Sequence, residues 1–286
     1  MFFVTGATGN VGREVVSLLL AEGGKVRALT RAANSDAVPA GAVPVVADLA
    51  SDPMRAADAL DGVSAVFLNT MALGDNVAEF LALARRQGVN RVVLLSSGYV
   101  RDGVAPDEQP GAVARKHRAE EQMVESSGLE WTSLRPDDFA SNALFEWAAQ
   151  LRAGDVVYGA YADAATAVIH ARDIAAVAVR SLLEDGHGGL HYSLTGPEWL
   201  TERDRVRIIG EVTGRPVRFE EISPQDARAA MLATGLPGEI ADAVLGDLAA
   251  AVHRARRITD TVPRVTGRPA LSFAQWVSEN AGAFQS

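Results

Sequence analysis

Short apolar runs alternate with longer amphipathic segments through the first half of the chain. The runs have the length and β-branched content of strands, whereas the segments between them carry apolar residues at helical spacing. Strands are predicted at 1–5, 25–30, 42–47, 65–69, 91–96 and 130–135, and helices at 13–21, 53–60, 76–87 and 112–127. Strands that alternate with helices predict a parallel sheet with right-handed crossovers and helices on both faces.

After Pro136 this rhythm loosens. Helices are predicted at 140–152, 173–183, 201–213, 224–233, 239–254 and 273–281, with short strands at 167–169 and 190–194. We therefore predict a doubly wound α/β domain over residues 1–153 and a smaller, mostly helical part over residues 154–286. Some segments of the second part are expected to return to the main sheet.

The composition excludes several kinds of site. The 286 residues contain no cysteine, which excludes disulfides, thiolate metal ligands and cysteine nucleophiles, and no metal site is predicted. The net charge is −9 and the charges are scattered. We interpret the basic run at 254–257 as a solvated helix end and expect no nucleic-acid partner. Signal-like and membrane-spanning runs are not recognisable, so we expect a cytoplasmic monomer or homodimer with no membrane partner.

A glycine-rich turn joins the first strand to the first helix, with the sequence Gly6-Ala7-Thr8-Gly9-Asn10-Val11-Gly12. Gly6 permits a tight turn, Gly9 lets backbone N–H groups approach a pyrophosphate, and Gly12 allows the helix to pack closely on the strand. The helix N-terminus adds unpaired N–H groups and a partial positive charge. A strand, this turn and a helix in succession predict a dinucleotide site that also includes Thr8, Asn10 and Val11.

Ligands of such sheets bind beyond the carboxyl ends of the strands, which selects further candidates. Arg31 follows the second strand, about 20 residues after the glycine loop, where NAD enzymes place an acidic residue. Because a guanidinium pairs well with a 2′-phosphate, we predict NADP rather than NAD as the cofactor. Asp48 and Leu49 follow the third strand. The Asp48 carboxylate could accept a hydrogen bond from adenine or could cap the next turn.

The ends of the fourth, fifth and sixth strands supply the inner part of the predicted site. Asn69 and Met71 follow the fourth strand and are expected to lie under the cofactor, and Pro136 closes the sixth strand. The fifth strand ends in Ser96-Ser97-Gly98-Tyr99, close to the expected nicotinamide position. Either serine could donate a hydrogen bond to a ligand or simply terminate the strand.

Lys116 lies on the helix that follows this loop. Its ammonium could donate to the hydroxyls of the nicotinamide ribose, or it could form a surface pair with Glu120 one helical turn later. The neighbouring His117 points about 100° away around the helix. We therefore interpret His117 as a surface or packing residue.

The run from Thr5 to Gly12 resembles the cofactor loop of atypical short-chain dehydrogenases/reductases. More narrowly, the chain resembles their NmrA-like branch, which includes NADPH-dependent quinone and azo-dye reductases and redox-sensing regulators. The runs similar to this branch are Ser126-Ser127-Gly128-Leu129-Glu130-Trp131-Thr132, Leu134-Arg135-Pro136, His170-Ala171-Arg172-Asp173-Ile174-Ala175 and Leu194-Thr195-Gly196-Pro197-Glu198. The resemblance implies a Rossmann-type NAD(P)-binding domain followed by a substrate-binding part.

The chain departs from the family pattern at two places. Short-chain dehydrogenases commonly use a Tyr-x-x-x-Lys pair, but with Lys116 as the lysine the tyrosine position is Ala112. Tyr99 lies earlier and could reach the site only through the geometry of its loop. Branch members often carry a glycine and an aromatic residue after the Arg-Pro pair, whereas this chain has Asp137-Asp138-Phe139. These carboxylates could be solvated or N-capping, or they could bind or deprotonate a substrate, with burial raising the pKa of one of them.

The favoured function is an NADPH-dependent oxidoreductase acting on a quinone-like or conjugated aromatic small molecule. One alternative is a nucleotide-sensing binding protein without turnover, and another is a tailoring enzyme that modifies an aromatic polyketide, for example by oxygenation. The candidate catalytic residues are Lys116, Tyr99, Ser97 and Asp138. The residues expected to line the substrate cleft are Tyr99, Phe139 and Asn142.

Overall fold

A seven-stranded, wholly parallel sheet forms the centre of the larger part of the protein. The computed structural model describes residues 1–31, 36–253 and 257–285. With strands numbered in chain order, the sheet order is β3-β2-β1-β4-β5-β6-β9. Its strands are β1 Phe2–Val4, β2 Val26–Thr30, β3 Val43–Val46, β4 Ala65–Leu68, β5 Arg91–Leu95, β6 Glu130–Pro136 and β9 Leu190–Leu194. The predicted doubly wound α/β fold is confirmed.

Helices follow the strands in the order that the sequence predicts. They are α1 Asn10–Ala21, α2 Val77–Arg86, α3 Gly111–Glu125 and α6 Ala171–Leu183. This part also contains a short helix that the sequence does not predict, α10 Thr261–Thr266. The aromatic rings of Phe3 on β1 and Phe80 on α2 lie 6.1 Å apart, and both side chains are fully buried. Full burial of such a side chain contributes about 1.5–3 kcal/mol, so the contact between the sheet and this helix layer is a main source of stability.

The single helix predicted over residues 53–60 is wrong. Two 3-10 turns, Pro53–Ala56 and Asp58–Leu60, take its place. The Asp52 carboxylate accepts a hydrogen bond from the Met54 N–H at 2.9 Å, and the Ala57 N–H donates to the Met54 carbonyl. These short-range bonds close a tight turn before an α-helical turn can form.

A second compact unit contains two small sheets and six helices among its described residues. Strands β7 Val156–Gly159 and β11 Arg218–Glu221 pair in parallel, and β8 Ala165–Thr166 pairs antiparallel with β10 Leu200–Thr201. The helices are α4 Asn142–Glu146, α5 Ala148–Ala153, α7 Glu202–Thr213, α8 Pro224–Ala233, α9 Gly238–Val252 and α11 Phe273–Asn280. In its core the Trp276 ring stacks on Phe273 at 5.6 Å and meets Phe284 edge-on at 6.1 Å.

Several predictions for this second unit are corrected by the structure. The helix predicted over 140–152 is divided at Trp147, whose φ of −130° ends α4 before α5 begins. The strand predicted at 167–169 lies at Ala165–Thr166 instead, and Ile169 forms only an isolated bridge to Phe139. Strands β7, β10 and β11 and the helix α10 are absent from the prediction. The end of the helix predicted over 239–254, and most of the basic run at 254–257, lie outside the described residues.

The two units are built from interleaved segments. The first contains Met1–Asp137, Ala171–Leu194 and Asp260–Arg268, and the second contains Asp138–His170, Thr195–Thr259 and Pro269–Ser286. The chain first passes from one unit to the other after Asp137, whereas a domain boundary was predicted near residue 153, and that boundary stays a prediction. No helix among the described residues is long and apolar enough to cross a membrane.

Candidate functional site

The strand order of the main sheet reverses between β1 and β4, which marks the place where doubly wound sheets bind their ligands. Residues from the two strand ends meet there. The Asn69 N–H donates to the Thr5 hydroxyl oxygen at 2.6 Å, and that hydroxyl donates to the Asn69 carbonyl at 3.1 Å. A Cβ built on Gly6 would lie 2.9 Å from Asn69 Nδ2. The glycine loop is therefore held against the end of β4.

The glycine loop has the conformation that its sequence predicts. Gly6 adopts a φ of +62°, which L-residues rarely adopt. Gly9 is the N-cap of α1 and provides no capping side chain, so the first turn of the helix is open to an anion. A Cβ on Gly12 would lie 2.1 Å from the Gly6 carbonyl oxygen, whereas one on Gly9 would lie 3.3 Å from it. This narrow backbone cradle fits a pyrophosphate, with Val11 buried behind it and Thr8 and Asn10 nearer its surface.

The outer candidates lie at the carboxyl ends of β2 and β3. Arg31 is exposed and directly follows β2. The Asp48 carboxylate accepts a hydrogen bond from the Ala50 N–H at 3.2 Å, so it caps the turn, which is one of its two predicted roles. The Leu49 side chain is fully buried in the core, which leaves only its backbone available to a ligand. Cofactor contacts of these residues stay predictions.

Asn69 and Met71 begin the 3-10 turn that follows β4. The Asn69 side-chain oxygen accepts a hydrogen bond from the Met71 N–H at 3.2 Å. Met71 is 81% exposed, an unusual position for a large apolar side chain. Because it lies beyond the carboxyl end of β4, it remains a candidate for contact with a flat ligand ring.

The loop after β5 is attached to the end of β6. The Gly98 N–H donates to the Pro136 carbonyl at 2.8 Å, and a Cβ on Gly98 would lie 2.8 Å from that oxygen. The Ser97 hydroxyl oxygen accepts a hydrogen bond from the Tyr99 N–H at 3.3 Å, and the Tyr99 side chain is 40% exposed. The structure thus brings Ser97, Tyr99 and Pro136 together at one edge of the sheet.

Ser96 faces away from this exposed loop into a buried network around Glu121 on α3. Glu121 Oε1 accepts hydrogen bonds from the hydroxyls of Ser96 and Ser133 and from Arg135 Nε, at 2.7, 2.8 and 2.8 Å. Glu121 Oε2 accepts from Arg135 Nη2 at 2.8 Å. Burial acts to raise the pKa of this carboxyl, but the hydrogen bonds from Arg135 and the serines outweigh it and lower the pKa. The Ser96 hydroxyl therefore belongs to the scaffold, and only its backbone is available to a ligand.

One group of side chains near this network has metal-ligating atoms close together. Potential ligand atoms of Glu121, Glu125 and His191 all lie within 4.8 Å of one another. However, Arg135 occupies both oxygens of Glu121, and Arg118 Nη1 donates to Glu125 Oε1 at 2.6 Å. Burial and the Arg135 charge lower the pKa of His191. Because guanidinium donors already use the carboxylate lone pairs, we interpret this group as an ion-pair network.

The predicted ribose ligand Lys116 lies on the surface of α3. Its side chain is 57% exposed, and its Nζ lies 3.8 Å from Glu120 Oε1, which is the alternative pairing that the spacing allows. Such a loose surface pair does not hold the ammonium in place. His117 also faces Glu120, with Nδ1 3.1 Å from Oε2. Ala112, at the tyrosine position of the family, is exposed in the first turn of α3.

The Asp138 carboxylate of the second unit is paired with other side chains, and the residue is not an N-cap. The prediction of a solvated or capping carboxylate is therefore wrong for Asp138. It accepts a hydrogen bond from Asn142 Nδ2, and its Oδ2 lies 3.3 Å from Nη1 of the buried Arg205. Glu146 Oε2 lies 3.7 Å from the same Nη1. Burial, reinforced by the Asp138 charge and opposed by Arg205, raises the pKa of Glu146 to about 7.

The Arg205 guanidinium holds this region of the second unit together. It also pairs with Glu202 and lies over the Trp147 ring, 4.8 Å from the ring centre. Asn142 is the first residue of α4, and Phe139 forms the bridge to Ile169. The substrate roles predicted for Asp138, Phe139 and Asn142 stay predictions.

Sequence reasoning missed the residues that organise these regions. Glu121 lies in a helix and Arg135 in a strand, and charged residues in such elements usually face solvent. The sequence does not show that both are buried, which is why their pairing was not predicted. The one signal was the Leu134-Arg135-Pro136 run. Arg205 lies in a segment predicted only as a helix, where spacing does not show that its charge is buried.

Comparisons with known proteins agree with this geometry. A family of proteins described as NAD(P)H-binding matches residues 6–185. A (4-alkanoyl-5-oxo-2,5-dihydrofuran-3-yl)methyl phosphate reductase from Streptomyces griseus is 40% identical over 99% of both chains. An NAD(P)H azoreductase from Xenophilus azovorans is 37% identical over 99% of both chains. The crystal structure of an Escherichia coli NADPH-dependent quinone oxidoreductase complexed with NADPH is 27% identical, with a TM-score of 0.80 over 98% of this chain and 99% of that one.

Proposed function

Because the chain belongs to the NAD(P)H-binding family, in the NmrA-like branch of atypical short-chain dehydrogenases/reductases, and is an NAD(P)H-dependent reductase, we propose that it reduces electron-poor conjugated acceptors with NADPH. The observation that carries the choice of acceptor is Ala112. It stands where dehydrogenases of the superfamily place their proton-donating tyrosine, one helical turn before Lys116.

The cofactor, when bound, supplies a hydride, and the chain must provide for the proton. A saturated ketone becomes an alkoxide, a strong base that requires a proton donor close by. A tyrosine hydroxyl, with a pKa near 10 that a nearby ammonium lowers, serves this purpose well. The side chain of Ala112 has no acidic proton to donate. A quinone becomes a hydroquinone anion, whose charge is spread over the ring. Water can protonate it, so a general acid, typically worth about 10²–10⁴-fold, is much less necessary.

The named substrates of the relatives fit this limitation. The Streptomyces griseus relative is named for a dihydrofuran that carries a ring oxo group and an alkanoyl group beside its double bond. Reduction of such a bond leaves negative charge shared between two carbonyl groups. Azo and quinone acceptors, named for the other two relatives, also give delocalised anions. We propose that the acceptor of this chain shares this property.

We assign the nucleotide to the carboxyl edge of the main sheet. The loop Gly6–Gly12 would hold the pyrophosphate, Arg31 the 2′-phosphate, and Lys116 the nicotinamide ribose. Arg31 is the reason to propose NADPH over NADH, because a carboxylate at this position would repel the 2′-phosphate. Exposed Tyr99 offers a ring face for a flat acceptor.

The test is the decay of NADPH absorbance with a matched panel of acceptors, with and without oxygen. The panel contains a benzoquinone, an azo dye, an alkanoyl dihydrofuranone with and without its methyl phosphate, and a saturated ketone. We expect turnover of one or more conjugated acceptors and little turnover of the ketone. Fast ketone reduction would contradict the proposal and would identify Tyr99 or Ser97 as a donor. If no acceptor consumes NADPH, a nucleotide-sensing role replaces the reductase.

A further inference from the structure

The loop that follows β5 is fixed at three places, although it contains three glycines and two prolines between residues 98 and 111. Gly98 is bonded to the end of β6, as described above. Arg135 Nη1 donates to Asp102 Oδ1 at 2.6 Å. The buried Gln109 amide closes the rest of the loop, because it accepts from the Arg101 N–H at 2.9 Å and donates to the Arg101 and Val104 carbonyls at 2.7 and 2.9 Å.

Arg135 does not need Asp102 to be neutralised. Glu121 already accepts two of its hydrogen bonds in a parallel, bidentate arrangement, and both side chains are buried. Asp102 accepts a hydrogen bond from Nη1, the remaining nitrogen of the guanidinium, and its own side chain is 83% exposed. Since the fold already supplies a buried counter-charge, the Asp102 contact adds little to the core. Its structural effect is to tie the loop to β6.

We propose that Asp102 and Arg135 are positioning residues for the acceptor: their ion pair fixes the loop segment from Ser97 to Asp102, and with it Tyr99, at the carboxyl end of β5. This inference rests on the proposed function, in which the carboxyl edge of the sheet holds the reacting groups. It assigns no contact between Asp102 and either ligand. A displacement of about 1 Å in a group that orients a substrate is enough to lower the rate substantially.

The charge state of the pair suits a permanent attachment. The hydrogen bond from Arg135 lowers the pKa of Asp102 against the opposing effect of burial. The hydrogen bonds that Arg135 donates to Glu121 and Asp102 raise the pKa of Arg135, although burial acts to lower it. Both groups therefore remain charged at neutral pH, and the attachment does not release the loop as the pH changes around neutrality.

The chain provides a matched control for this ion pair. Arg91 Nη2 donates to Asp185 Oδ1 at 2.7 Å, and Asp185 is fully exposed while Arg91 is mostly buried. This pair also joins an exposed aspartate to a sheet arginine, but Asp185 lies outside the loop after β5. The variants Asp102→Asn, Asp102→Ala and Asp185→Asn remove comparable surface charges at the two places.

The experiment measures steady-state kinetics, the Kd of NADPH, and amide hydrogen exchange of residues 97–102 in the protein without ligands. For Asp102→Asn we expect the KM for the quinone to rise about tenfold. This corresponds to the loss of one charge-assisted hydrogen bond whose strength is partly screened by solvent. We expect faster exchange of the loop amides, an unchanged Kd for NADPH and an unchanged melting temperature. Asp102→Ala should show a larger rise in KM and faster loop exchange than Asp102→Asn. Asp185→Asn should change neither KM nor loop exchange.

The outcomes separate this inference from the proposed function. If the unmodified protein reduces the quinone but Asp102→Asn and Asp102→Ala leave both KM and loop exchange unchanged, the positioning role is wrong. It is also wrong if Asp185→Asn raises KM equally, because a general charge effect would then explain the result. If the unmodified protein reduces no acceptor, the proposed function fails, while loop exchange in the Asp102 variants still shows whether the ion pair fixes the loop.

Discussion

At the scale of single residues, the exposed arginine after β2 decides the expected cofactor preference. Replacing Arg31 by alanine removes the charge that would face a 2′-phosphate, while NADH carries no such group. We expect Arg31→Ala to weaken NADPH binding by about 1.5–3 kcal/mol, or about 10- to 150-fold in Kd, with little change for NADH. Calorimetric titration of both nucleotides measures this. The matched control is Arg86→Ala, which removes an exposed arginine from the last turn of α2. Equal affinities for the two nucleotides in the unmodified protein would contradict the assignment.

Two glycines of the loop Gly6–Gly12 should respond differently to added side chains. A Cβ at Gly9 approaches only the Gly6 carbonyl at 3.3 Å, and the φ of Gly9 is −81°, so the fold tolerates a side chain there. We expect Gly9→Val to keep its melting temperature while losing NADPH binding, because the branched side chain fills the space that the pyrophosphate needs. Gly12→Ala, with a Cβ 2.1 Å from backbone oxygen, should instead lower the melting temperature. Normal NADPH binding by Gly9→Val would show that this loop is not the phosphate site.

The sequence predicted residues whose role depends on the backbone and missed those whose role depends on burial. Gly6, Gly9 and Gly12 were recognisable because a tight turn and a helix N-terminus require glycine at fixed spacing. The sequence cannot show which acidic group has a raised pKa, because desolvation depends on distant parts of the chain. The sequence analysis considers a raised pKa for the Asp137-Asp138 pair, whereas in the structure desolvation raises the pKa of Glu146.

At the scale of elements, the regular parts of the fold follow from the sequence pattern. The strands of the main sheet and the helices α1, α2, α3 and α6 lie within a few residues of their predicted positions, since each pairs an apolar face with a sheet. Two of the short strands of the second unit give only a weak signal, because Arg218–Glu221 is charged and half exposed and Leu200–Thr201 has only two residues. The break between α4 and α5 depends on Trp147 packing under Arg205, a contact across 58 residues that local propensity does not contain.

The cluster around Arg205, at this break, predicts an unusual pH dependence of stability. The pKa of Glu146 is about 7 in the folded chain against an ordinary 4.5. Ionisation therefore favours the unfolded chain, so the stability present below pH 4.5 decreases as the pH rises through 7. The side chain is 34% exposed, and after allowance for solvent screening we expect a loss of about 1 kcal/mol, equivalent to about 2–4 °C in melting temperature.

The variant Glu146→Gln tests the pH dependence that the raised pKa of Glu146 predicts. It keeps the size of the side chain but cannot ionise, so its melting temperature should exceed that of the unmodified protein at pH 8 and match it at pH 5. Asp138 and Arg205 are the charged groups that act on Glu146, and both stay in place. Glu211→Gln serves as the control, because Glu211 forms an exposed pair with Arg207 one helical turn away on α7. If the difference in melting temperature between Glu146→Gln and the unmodified protein is the same at pH 5 and pH 8, the raised pKa is contradicted.

At the scale of the whole molecule, the relatives match almost the entire chain rather than the nucleotide-binding part alone. The two reductases from Streptomyces griseus and Xenophilus azovorans align over 99% of their own lengths. The second unit is therefore shared with enzymes whose names specify different acceptors. Similarity over the whole chain consequently supports a reductase but does not select the substrate, and the chemistry of the proton donor has to make that selection.

The position of Ala112 makes that selection testable by a gain of function. Ala112 and Lys116 are exposed on α3 and one helical turn apart, so Ala112→Tyr restores the Tyr-x-x-x-Lys pair without disturbing the core. We expect the variant to increase kcat/KM for a saturated ketone about tenfold or more. This is less than the 10²–10⁴-fold that is typical of a well-positioned general acid, because the introduced side chain is exposed. Turnover of a quinone should stay nearly unchanged, because its delocalised anion gains little from a donor. The control Ala112→Phe adds the same ring without the hydroxyl and should leave ketone reduction at its original rate. If the unmodified protein already reduces the ketone as fast as the quinone, the missing tyrosine does not limit the acceptor, and the argument from Ala112 is wrong.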